Sequence, residues 1–298
     1  MDELVGAYEE VTFPPARTAT VDTVRIGKTR HHIPVLLEVD VTAAREELAR
    51  RRRGGRDDSF TAWAVACVAR AAAEHKRVHA VRHGRGRLVV FDDVDVSLAV
   101  FRQATGAGGG ERIPMPFVVR RAQAKPVAQI ADEIRRAQTR PLAPGEQWLA
   151  AEGAVPPPRL LRLAFAAPFH LRKWLFWDRL LADPFRVKRT MGTVMVTSVP
   201  LTTRSGTRAW AIPVGIHPLC VALGAVARLH EPDRELLSVT VLFDHDVVDG
   251  VPVALFLRRL TELMETAWGL EAEADAGAVS DAAADAVAGV ARPVTMPE

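Results

Sequence analysis

The chain has 298 residues, 48% of them hydrophobic, and its 39 basic and 36 acidic side chains leave a formal charge of +3. So much apolar material excludes disorder over most of the length. The basic residues are scattered rather than striped, and a single tyrosine offers little to stack on bases, so nucleic acid is not an expected partner.

Cys67 and Cys220 lie in apolar runs without metal or redox spacing and read as buried, reduced thiols of a cytoplasmic protein. The acidic start lacks the apolar core of a signal peptide, and no apolar run is long enough to span a bilayer. Residues 1–20 read as an extended arm, and Val21 to Lys28 as a strand or short helix. His31 and His32 lead into Ile33-Pro34. As strand neighbours they point to opposite faces, which argues for surface or interface positions over a metal site.

Leu36, Val39 and Val41 continue a strand, and Thr42 is placed to cap a helix from Ala43 to Arg50. The run from Arg50 to Arg56 reads as a solvated loop. Ser59 suits the N-cap of an Ala- and Val-rich helix from Phe60 to about His75. Strands follow at Leu88–Val90, Val94–Val100 and Met115–Val119. The glycines at 106 and 108–110 read as a turn, because no Lys-Ser/Thr pair or helix follows them. Pro126 and Val127 open a helix through Ile130, Ile134 and Ala137.

The segment from Arg140 to Lys188 contains Pro156-Pro157-Pro158 and the spacing of two short amphipathic helices broken near Pro168. It reads first as packing over a sheet, second as a lid, and last as a membrane-surface helix. Strands are expected at Gly192–Val199 and Leu219–Leu229, with Gly224 marking a bulge or a close approach. Residues 269–298, rich in Ala, Asp and Gly, read as a flexible tail.

The stretch from Leu236 to Leu263 carries the chemistry. Val239 to Phe243 is a β-branched and aromatic run, and Val253, Phe256, Leu257, Leu260 and Leu263 mark one helical face. Between them, His245 sits at a strand end, with Asp249 and Gly250 at a helix start and Pro252 in the first turn. A histidine held rigidly on both sides suits a catalytic base; a capped turn is the plainer reading. A metal site is disfavoured, since no second His–carboxylate group has divalent spacing.

FDHDVVDG followed by an apolar helix resembles the H-R-x-x-D-G signature of the catalytic domain of 2-oxo acid dehydrogenase dihydrolipoyl acyltransferases, relatives of chloramphenicol acetyltransferase. IPVLLEVDVTAAREEL, SFTAWAVACVARAAAEHKRVHA, FDDVDVSLAV and MGTVMVTSVP resemble further segments of that family, in its order. The resemblance spans most of residues 20–268. It implies an α+β fold, a two-layer sandwich whose mixed sheet carries helices on one face. The catalytic domain would run over 21–268, with 140–190 as an inserted helical segment.

The resemblance further implies acyl-CoA as co-substrate, no acyl-enzyme and no metal. His245 would be the base, its second ring nitrogen held by backbone. Thr197 would be the oxyanion donor, with Ser198 as fallback. Asp249 would be structural, paired with Arg25 or else Arg17, and Gly250 would support the turn. A homotrimer is implied, with base and oxyanion donor from different chains. Asp246 stands where the family has arginine, and the chain shows neither a lipoyl domain nor a peripheral-subunit-binding domain. Both points favour a small-molecule hydroxyl as acceptor over a lipoyl group. An E2-type core and an idle trimeric scaffold are the alternatives.

Overall fold

The computed structural model describes residues 6–10, 13, 16–103, 112–140, 166–199, 206–230 and 233–270. Among them a helix α1 (Ala16–Gly27) leads into β1 (His32–Asp40), α2 (Thr42–Arg53) and α3 (Phe60–Glu74). A short hairpin, β2 (Val81–His83) and β3 (Arg87–Val89), precedes β4 (Val96–Gln103), β5 (Arg112–Val119) and α4 (Val127–Thr139). Phe169–Arg172, a π turn Lys173–Trp177 and Asp178–Leu181 run on as one helical segment, α5, followed by α6 (Pro184–Met191). β6 (Val194–Ser198), β7 (Leu219–His230), β8 (Asp233–Asp244) and α7 (Gly250–Glu265) complete the order.

Six strands form one mixed sheet in the order β1-β8-β7-β6-β4-β5. The β7–β6 and β6–β4 pairs are parallel and the others antiparallel. Alternation decides the two faces. Val194 and Val196, Leu219 and Val221, and Val239 and Val241 point into one core with α3, α4 and α7. Small residues of α3, from Ala62 to Ala72, let that helix lie close. On the other face β8 presents Ser238 and Thr240, buried hydroxyls with no hydrogen-bond partner among the described residues. This is the two-layer α+β architecture the sequence predicts.

Several local expectations need correction. α1 begins at Ala16, inside the stretch assigned to an extended arm. Thr42 does not cap α2. Its hydroxyl donates to Asp40 Oδ1 (2.6 Å) and accepts from the Glu235 backbone N–H (2.8 Å), tying α2 to the start of β8. The basic run after Arg50 is no loop either: through Arg53 it is the last turn of α2, where cations suit the helix dipole. Arg51 is buried there between Glu47 and Asp58, at 2.9 Å from each. Ser59 does cap α3, its Oγ accepting from the Ala62 N–H at 3.1 Å. The glycine cluster at 106–110 and the segments 141–165 and 271–298 lie outside the described residues.

Two glycines have evident reasons. Gly192 sits at φ +72°, and a Cβ there would lie 2.5 Å from the Asp95 carbonyl. Gly224 marks the register shift between Leu223 and Val226, and a Cβ there would meet the Ala209 carbonyl at 2.2 Å. Bulge and close approach coincide.

Candidate active site

At the end of β8 the backbone is held from two sides. Asp244 N–H donates to the Pro218 carbonyl (2.9 Å), and His245 N–H to the His31 carbonyl (3.0 Å). Val247 N–H then returns to the Asp244 carbonyl at 3.0 Å, closing a tight turn that buries Val247 and Val248. His245 is therefore pinned by its main chain while its imidazole stands exposed. The ring lies 6.3 Å from that of Phe243, and among the described residues no hydrogen bond reaches it. Among the described residues the backbone bond implied for its second nitrogen is thus not made. The turn fixes the position of the residue and leaves the ring free to meet a proton donor.

Asp249 is the N-cap of α7, but its side chain accepts no cap hydrogen bond. Pro252 at the third helical position removes one of the two usual cap donors, and the remaining one, the Val251 N–H, is not bonded by the Asp249 side chain. Nor, among the described residues, does Asp249 pair with arginine. Arg25 lays its guanidinium over the Phe169 ring, 5.0 Å from the centroid, and among the described residues neither it nor Arg17 reaches Asp249. The acid that α1 commits is Asp22, buried and bound through both oxygens by Arg172 of α5 at 2.7 Å. Gly250 is not sterically required, since a Cβ there would meet nothing within 4 Å.

Thr197 lies half-buried on β6 and Ser198 is exposed. Thr197 is in register with Ala222, and Ala222 with Thr240. His245 is five residues beyond Thr240, so strand rise and strand spacing put it roughly 20 Å from Thr197 in one copy. The two residues sit toward opposite ends of the sheet and share no substrate within a single chain.

No family model matches the sequence, and no curated protein matches it either. Solved structures do match. A probable dihydrolipoamide acetyltransferase from Listeria monocytogenes 4b F2365 aligns with a TM-score of 0.58 over 89% of this chain and 97% of that one, at 16% identity. The cubic core of the pyruvate dehydrogenase multienzyme complex gives 0.56 over 89% and 95%, at 16% identity. Azotobacter vinelandii dihydrolipoamide acetyltransferase gives 0.56 over 89% and 95%, at 17%. The fold is that of the dihydrolipoamide acetyltransferase core. At this identity the likeness speaks for architecture, and any chemistry has to come from the side chains.

Within this acetyltransferase fold the junction gathers charges that sequence spacing did not reveal. Asp246 turns to His31, whose Nδ1 is 2.9 Å from Oδ1, and to Arg82 at 3.6 Å. That hydrogen bond and the carboxylate's charge raise the His31 pKa above 6.5, and the same bond holds Asp246 below the usual carboxylate range. Arg30 stands 3.5 Å from the buried Asp244. His31 lies 215 residues before Asp246, and only the β1–β8 pairing brings it and Arg30 here.

Two other imidazoles lie deeper. His79 bonds Thr193 Oγ1 and His217 bonds the Met191 carbonyl, each at 2.9 Å, and burial pushes both pKa values down to about 4. Neutral, inaccessible and weakly basic, they position loops and are poor proton acceptors. Beside the junction lies a cavity of about 320 Å³. Asp244 and Val247 form one wall, Ala80 to Arg82 a second, and Leu181, Ala182 and Val187 of the inserted helices a third. α5 and α6 therefore pack and line the cavity at once. Trp177, Leu180 and Leu181 join a small core with Ile26 and Ile216, while Leu181, Ala182 and Val187 face the cavity. None of the described helices is long and apolar enough to cross a membrane.

Proposed function

We propose that the protein is an acyltransferase that moves an acyl group, acetyl in the simplest case, from a coenzyme A thioester to the hydroxyl of a small-molecule acceptor. The observation that carries this reading is the exposed, main-chain-pinned imidazole of His245 at the strand–helix junction of an acetyltransferase fold. His245 takes the acceptor's proton as its oxygen attacks the thioester carbonyl. The tetrahedral oxyanion meets the Thr197 hydroxyl of a neighbouring copy. Collapse expels the CoA thiolate, which recovers the proton from the imidazolium, leaving ester and free CoA. The separation of roughly 20 Å within one chain is what supports a shared site between copies, and hence a homotrimer.

A second reading, a dihydrolipoyl acyltransferase core, draws on the same fold likeness. One experiment tests both. Incubation with acetyl-CoA and a panel of hydroxylated small molecules consumes the thioester absorbance under the first reading. With dihydrolipoamide the thioester is conserved and S-acetyl-dihydrolipoamide accumulates under the second. Turnover of neither acceptor class, in a folded oligomer, defeats the enzyme readings and leaves the scaffold.

A further inference from the structure

The cavity beside the junction has apolar walls and a charged rim, and the charges on that rim are unequally committed. Asp244 accepts the Asp246 backbone N–H at 3.1 Å, and Asp178 is bonded to Lys173. The two guanidinium groups are not so held. Arg30 makes only a 3.5 Å ion contact to Asp244, with no side-chain hydrogen bond among the described residues. Arg82 donates Nε–H to the Gly84 carbonyl at 3.2 Å, and its terminal nitrogens reach no nearer than 3.6 Å to Asp246. Both line the cavity, and behind them Val81, Leu181, Val187, Ile216, Pro218 and Val247 offer nothing polar from their side chains. At about 320 Å³ the space is at the small end for ligand sites.

We infer that this cavity binds a compact carboxylic acid with an apolar body, its carboxylate held between Arg30 and Arg82 and its body against the inserted helices. A planar guanidinium with unused N–H donors matches a carboxylate in geometry as well as charge. An uncharged amphiphile would gain no charge-assisted hydrogen bond from them. As a statement about which acceptor is acylated, this rests on the acyl-transfer reading; as a binding site it stands alone.

Titration calorimetry of the full chain with octanoate and its neutral isostere octanamide tests it without reference to turnover. Octanoate is expected to bind about tenfold tighter than octanamide. Arg82→Gln, at an exposed position that carries no core contact, is expected to reduce that preference to about threefold or less. Arg85→Gln, outside the cavity lining, removes the same net charge and is expected to leave the preference intact. Equal binding of the two probes, binding of neither, or equal loss of preference in both variants overturns the site. A failed acyl-transfer assay with intact octanoate selectivity removes the proposed reaction and leaves this site standing.

Discussion

The two ends of the central sheet are built differently. At the His245 end the chain is held by hydrogen bonds to the lead-ins of β1 and β7, closed by the tight turn into α7, and flanked by a cavity. At the Thr197 end β6 is only five residues long, and Ser198 and Val199 stand exposed. One end is tied down by neighbouring segments, and the other leaves its last two residues exposed. Under the proposed reaction the contrast would amount to a division of labour, each copy fixing its own base by main-chain bonding and receiving the oxyanion donor from a neighbour.

The sharpest way to break that contrast is His245→Ala. Its ring makes no hydrogen bond among the described residues, so turnover is expected to fall by about 10² to 10⁴ with an unchanged melting temperature. A parallel loss of fold would make the histidine a structural member. Next in size is the support behind the cavity. Asp22→Ala strips a buried partner from Arg172 and is expected to cost about 3–5 kcal/mol in denaturant unfolding. A change below 1 kcal/mol would show that α5 is held by its apolar contacts alone.

Thr197→Val probes the other end. Loss of one oxyanion donor is expected to lower kcat by about 10² to 10³ with little effect on KM. Co-refolding His245→Ala chains with Thr197→Val chains separates the two architectures. Sites formed between copies regain a fraction of activity, because some interfaces combine the intact histidine of one chain with the intact threonine of the other. Sites contained in one chain regain none.

Most of the architecture was legible because it rests on periodicities that the chain carries locally. The Ala-rich α3, the β-branched β8 and the apolar stripe of α7 are each written in neighbouring residues, and Gly224 announced both its bulge and its close approach. The position of His245 between strand and helix was legible because that junction can be read from one window. The partnerships were not. Arg25 was set against Asp249, yet three-dimensional packing gives Arg25 to Phe169 and Arg172 to Asp22, across 150 residues of chain. Part of the missing cap at Asp249 was within reach, since Pro252 removes one of its two usual donors. His31, taken as an ordinary surface residue, meets Asp246 only through the register of β1 on β8, which no single stretch encodes.

That last pair gives the smallest and most specific effect. The raised His31 pKa means the pair's contribution is complete below 6.5 and fades as pH rises through the shifted value. The lowered Asp246 pKa means the same contribution is present above 3.8 and lost as pH falls through its depressed value. The pair is thus strongest in mildly acidic solution. Both groups are exposed enough for solvent to screen them, so the effect belongs in a titration rather than a melting curve. By NMR the His31 ring is expected to titrate above 6.5 in the native protein and to return toward 6.5 in Asp246→Asn. An unmoved midpoint in that variant would free Asp246 from His31. The carboxylate would then be available to the neighbouring His245.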